Sequence, residues 1–208
     1  MKDLLIHAAD ADAEAFLRSL LNRPEALAIR PISFDIHRHP QRDAGMVQSG
    51  AELARMNKGR YQKVLLLWDH HGSGRERRQT PEQVVDEISR KLDSFTWSEN
   101  HKVEILVPEL EQWLWFCESA VAAHCGVTVN RITEWQQDYA TKLGRTVGEL
   151  KQNFPKELFE HLMRERLRQT ISPRNFQQIG ERASVRSLLH CKSFKAVVMA
   201  LQSWFPKP

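Results

Sequence analysis

The chain has no apolar run that approaches a membrane span. Stretches such as Val64–Trp68 fall far short of the ~20 residues a helix needs to cross a bilayer, and mean hydropathy is −0.50. Cysteine is scarce, and Cys117, Cys125 and Cys191 form no CxxC pair. The opening apolar stretch ends at His7, too short for the apolar region of a signal peptide. With the odd cysteine count, this predicts reduced thiols in a cytoplasmic protein. GxxxxGK[ST] is missing, which excludes a P-loop, and no GxGxxG follows the first apolar run, so a dinucleotide fold is poorly supported. Nine histidines include no HExxH. There is neither an internal repeat nor a low-complexity tract.

What is present is an ordinary globular composition. Of 208 residues, 41% are apolar and 27% charged, which excludes disorder as the main state. The net charge of +4 is unevenly placed. Residues 151–208 hold 11 Lys+Arg against 4 Asp+Glu, and residues 1–150 hold 19 against 22. The basic excess therefore lies in the last quarter. It fits a polyanionic partner such as nucleic acid, or the solvated face of a helix carrying Arg164, Arg166 and Arg168.

Leu4-Leu5-Ile6 reads as a buried strand, followed by a helix with Phe16, Leu17, Leu20 and Leu21 on one face. Ile29–His37 alternates as a second strand, residues 38–45 read as a polar loop, and Met46–Asn57 as a helix. Val64–Trp68 is the clearest strand. Thr80-Pro81-Glu82-Gln83 opens a helix with a capping box and proline at the first position. Val103–Val107 gives a fourth strand and Glu109 to about His124 an apolar helix. Beyond Gly126 the expected elements are helical: Arg131–Ala140, Pro155–Gln169, Pro173–Ala183 and Ser193–Trp204. Strands alternating with helices predict an α/β fold with a four-stranded, mostly parallel sheet flanked by helices. The expected division is an α/β domain over 1–125, with a helical extension over 126–208 packed on it.

In open α/β sheets, ligands bind outside the carboxyl ends of the strands. After the first strand stand Asp10, Asp12 and Glu14; after the third, Asp69, His70 and His71; after the fourth, Glu109 and Glu111. Gathered like charges favour a cation, and carboxylate oxygens suit Mg²⁺ or Mn²⁺. Asp10, Asp12 and Glu14 also fit a plain helix start. Adjacent His70 and His71 point different ways, so one of them faces the acids. Gly72-Ser73-Gly74 fits either a flexible turn or a cradle of amides for a phosphate. Cys117, Cys125, Trp113, Trp115 and Phe116 read as core.

Asp12–Leu21, Asp69-His70-His71-Gly72 and Pro108–Trp115 together resemble the Toprim-like proteins of bacterial defence loci. More narrowly, Ile36–Pro40, Asp69–Glu76, Pro108–Glu111 and Leu201–Pro206 look like the small Toprim-like component of methylation-associated antiphage defence systems. The likeness spans nearly the whole chain. It implies a four-stranded core that binds Mg²⁺ and acts on phosphodiesters of nucleic acid, DNA foremost. It also implies partners among the other defence-system proteins, a methyltransferase included. In Toprim enzymes a Glu after the first strand is general acid or base, and an Asp-x-Asp after a later strand holds the metal. Here Ala9 stands where that Glu is expected, with Asp10 beside it, and the second Asp of the pair is His71. Asp69 keeps its place. The implied roles are Asp69 with Glu109 or Glu111 as ligands for Mg²⁺ or Mn²⁺, and Asp10 or His71 as the group that moves the proton. The alternative is a catalytically degenerate module that binds nucleic acid or scaffolds a defence complex.

Overall fold

The apolar runs become one all-parallel sheet. The computed structural model describes residues 1–207. β1 (Lys2–Ala8), β2 (Phe34–Arg38), β3 (Tyr61–Asp69) and β4 (His101–Leu106) lie in the order β2-β1-β3-β4. Side chains of a strand alternate between faces, so β1, β3 and β4 each feed two cores, while the edge strand β2 feeds one through Ile36. Leu4, Ile6 and Ala8 of β1 and Leu65 and Leu67 of β3 enter one; Leu5, Ala9, Val64, Leu66 and Trp68 enter the other.

With β1 inside the sheet, the connection from β1 to β2 and the connection back to β3 run in opposite senses. Right-handed crossovers therefore place their helices on opposite faces. The first connection carries α1 (Ala11–Leu21) and the short α2 (Pro24–Leu27); the second carries α3 (Arg42–Met56). Phe16, Leu17 and Leu20 of α1 pack into the first core, and Met46, Val47 and Ala51 of α3 into the second. α4 (Pro81–Leu92) joins α3 there through Val84, Ile88 and Leu92.

The rest of the chain covers the α1 face. Its helices are α5 (Glu111–Leu114), α6 (Glu118–Cys125), α7 (Val129–Leu143), α8 (Val147–Asn153), α9 (Pro155–Glu160), α10 (Pro173–Arg182), α11 (Val185–Leu188) and α12 (Lys192–Trp204). A π-helical segment, His161–Arg166, continues α9. The first core consequently extends from Leu4 to Phe205. α10 lies tightly against α1: a Cβ placed on Gly180 would come within 2.0 Å of Ser19 Oγ, so a larger residue would force Ser19 to move. Among the described residues no helix is long and apolar enough to cross a membrane.

Among the boundaries that differ from those the sequence suggests, three bear on how the site is built. β2 begins at Phe34 rather than Ile29, because Ile29 bridges to Pro206 at the chain's end and Pro31 has no N–H to give to a ladder. α3 begins at Arg42, inside the stretch expected to be loop. The helix expected over Glu109–His124 is broken at Trp115–Cys117. The break sends neighbouring indoles to different partners: Trp113 Nε1 donates to Ser193 Oγ and Trp115 Nε1 to the Pro155 carbonyl.

The capping box on α4 is formed as its sequence suggests. Thr80 Oγ1 accepts from Gln83 N (3.3 Å), and Gln83 Oε1 accepts from Thr80 N (2.9 Å). Thr80→Ala should cost about 1 kcal/mol, read as a lower urea midpoint at unchanged slope, and Thr80→Ser should recover most of it.

Candidate functional site

The carboxyl ends of β1, β3 and β4 open on one edge, and the acids stand there. Asp10 caps α1: its Oδ1 accepts from Asp12 N (3.1 Å) and Ala13 N (2.9 Å). Asp69 ends β3, and its Oδ1 accepts from Leu110 N (3.0 Å), tying the β4 turn to the β3 end. The backbone N–H of Asp69 in turn donates to Asp43 Oδ1 (2.9 Å). Asp43 belongs to the first turn of α3 and was not among the residues the sequence singled out.

Asp10, Asp12, Asp69 and Glu111 line one cavity of about 270 Å³, together with Arg42 and Lys156. Glu109 does not line it. Its Oε1 lies 3.0 Å from His71 Nδ1, and the His71 ring is largely exposed outside. Of the acids expected from the sequence, the structure thus brings Asp10, Asp12, Asp69 and Glu111 to the cavity, and it places Glu109 beside it, paired with His71. Glu14 faces away, bonded to Arg18 and Arg38. His70 keeps Nε2 buried without a partner. The three thiols are buried and free.

Crowding suppresses the acidity of these groups. Burial, then Asp43, Glu111, Asp10 and Glu109, hold the Asp69 carboxyl well above the usual carboxylate range. Burial and Glu109 push Glu111 up to about 7, against the pull of Lys156. Asp12 is raised to about 6 by burial and by Asp10, and Asp43 and Glu109 are raised chiefly by burial. For Lys156, partial burial works against the charge, but Glu111, Glu109 and Asp69 outweigh it and hold the ammonium above its ordinary value. The pocket therefore neutralises itself in two ways, by retaining protons and by admitting a lysine.

That arrangement bears on the divalent ion the acids suggest. Among the described residues, no group of three or more His, Cys, Asp or Glu side chains is placed to hold one ion together. Asp10 and Asp69 each commit one oxygen to backbone amides, Glu109 is turned to His71, and Lys156 supplies a positive charge in the same cavity. As placed, these side chains do not fit a Mg²⁺ or Mn²⁺ ion.

Lys156 is the group that sequence reading could not find. It stands at the start of α9, far along the chain from every acid it serves, and no local spacing joins them. Compared with protein-family models, with curated proteins and with solved structures, the chain matches none.

Proposed function

We propose that the protein is a catalytically degenerate Toprim-like module of a methylation-associated bacterial antiphage defence system. On this reading it binds nucleic acid, DNA foremost, at the carboxyl edge of its sheet and works alongside the other proteins of the system, a methyltransferase among them. The observation that carries the loss of catalysis is Lys156 in the acid cavity. A lysine there does the charge compensation that a divalent ion does in a Toprim enzyme, and Ala9 removes the Glu that would move the proton. The excess of basic residues after position 150 supports an anionic partner.

The purified protein should bind a short DNA duplex with strong salt dependence. With about four phosphates neutralised, affinity should fall roughly 100-fold between about 50 and 200 mM salt. It should leave plasmid and linear phage DNA intact in Mg²⁺ and in Mn²⁺. Salt-independent binding, or none, would remove the nucleic-acid role. The other reading of the carboxylate edge, divalent-dependent phosphodiester cleavage, would require Asp10, Asp69 and Glu111 to leave the placement described above, which does not fit the ion. Cleavage that needs Mg²⁺ or Mn²⁺ and disappears in Asp69→Asn would establish that reading instead.

A further inference from the structure

The loop after β3 folds the carboxylate of its own Glu76 back onto its backbone. Gly72 and Gly74 both take positive φ, +89° and +77°, backbone that glycine adopts readily, and the Gly72, Gly74 and Glu76 N–H groups face one carboxylate while that of Ser73 is bonded to His70. The Glu76 carboxylate sits against those groups. Gly72 N donates to Glu76 Oε1, and the amides of Glu76, Gly72 and Gly74 together hold the carboxyl below its ordinary range despite some desolvation. The Ser73 hydroxyl accepts from Arg75 N (3.2 Å) and Ser73 N donates to the His70 carbonyl (3.2 Å), which fixes the turn.

Around this nest lies a cavity of about 540 Å³ lined by His71, Gly74, Glu76, Arg77 and Arg78. Arg75 is drawn away toward α4, onto Gln79 and Glu87. Arg77 and Arg78 are exposed and form no ion pair among the described residues. Two guanidinium groups, a histidine and an amide nest make a recognition set for a phosphate oxyanion. A glutamate carboxylate satisfies the nest when nothing else does.

We propose that the 72–78 loop is a phosphate-binding site which Glu76 occupies as an internal stand-in, and that an incoming phosphate group displaces the carboxylate. Glu76 is exposed, so it can swing into water, and its displacement leaves Arg77 and Arg78 facing the ligand. His71 also touches Glu109, so the phosphate seat adjoins the carboxylate edge. The source of the phosphate as a nucleic-acid backbone rests on the function proposed above; the phosphate seat itself does not.

The test is titration of ¹⁵N-labelled protein with inorganic phosphate and, separately, with a short DNA duplex, followed by amide shifts. Phosphate should move the Gly72, Gly74 and Glu76 amides. In Glu76→Gln the apparent affinity should rise roughly tenfold, because the competing closed form is removed. Asp86→Asn, an exposed change of the same charge on α4, should leave the affinity unchanged. Equal affinity in wild type and Glu76→Gln, or shifts that avoid these amides, would overturn the phosphate seat. If phosphate binds there while DNA moves no amide, the seat stands, it serves a free phosphate, and the nucleic-acid role falls. If DNA binds but leaves the loop unmoved, with phosphate also inert, the nucleic-acid role stands and the seat falls.

Discussion

Glu111→Gln should unfold at a higher temperature than the wild-type protein at pH 8, and the two should converge near pH 4.5. The cause is the acid cavity. Glu111 ionises at about 7 in the folded protein against an ordinary 4.5, because burial and Glu109 oppose its charge. Between those values the folded protein keeps a proton that the unfolded chain has released. Stability is therefore greatest below the unfolded value and declines as pH rises through the folded one. The decline amounts to about 3 kcal/mol once the carboxylate is fully charged. Glutamine keeps the shape and removes the charge, so at pH 8 it should recover most of that, raising the melting temperature by about 8 °C in a domain of this size.

His7 supplies the opposite slope. Buried in β1 with both ring nitrogens unpartnered, it is held down to about 4 by burial, then by His37 and His39. Below about 6.5 the unfolded chain takes up a proton that the folded chain refuses, so stability is lost as pH falls toward 4. Between about 4.5 and 6.5 the Glu111 and His7 slopes offset each other, and Asp12, raised to about 6, adds to the Glu111 slope, so wild-type stability should be greatest toward pH 4.5. In Glu111→Gln the decline from there toward pH 7 should flatten, as measured by circular dichroism melts across pH 4–8. A variant no more stable than wild type at pH 8 would show that the folded protein does not disfavour the Glu111 charge. A stabilising change at a buried acid is also what a site kept for binding predicts, since such sites hold charge at a cost in stability.

The part of this cavity legible in the sequence is the part that strand ends announce. Val64–Trp68 is apolar on both faces, so Asp69 had to lie at an edge, and Pro108 fixed Glu109 and Glu111 as following the fourth strand. Asp43 escaped because residues 38–45 are polar and carry a proline and a glycine, the composition of a loop, whereas α3 begins at Arg42. The first turn of a helix is a favourable place for an acid, and that was the available signal, hidden by the boundary. Lys156 escaped for a different reason: it reaches the acids by packing across the α1 face, and no periodicity encodes that. The Gly72-Ser73-Gly74 run did suggest an amide cradle. What it could not show is that Glu76, four residues past Gly72, would fill it.

Trp113→Ala should be the most damaging single change, costing about 3–5 kcal/mol. Trp113 is fully buried, and its ring packs on Phe16 of α1 (5.8 Å between centroids) and edge-on against Phe194 of α12 (5.1 Å). Its Nε1 donates to Ser193 Oγ at 2.8 Å. One side chain thus joins the helix after β1, the turn after β4 and the last helix, and truncation removes two aromatic contacts as well as the transfer energy. Trp113→Phe should recover much of the packing while losing the hydrogen bond, about 1 kcal/mol. Urea unfolding followed by both tryptophan fluorescence and circular dichroism distinguishes two outcomes. The first core runs without interruption from Leu4 to Phe205, so the two probes should show one shared transition, displaced to lower urea at unchanged slope. Two separated transitions in Trp113→Ala would mean that residues 1–125 keep their own fold when the tie is cut. The helical remainder would then be an attachment rather than a wall of the same core.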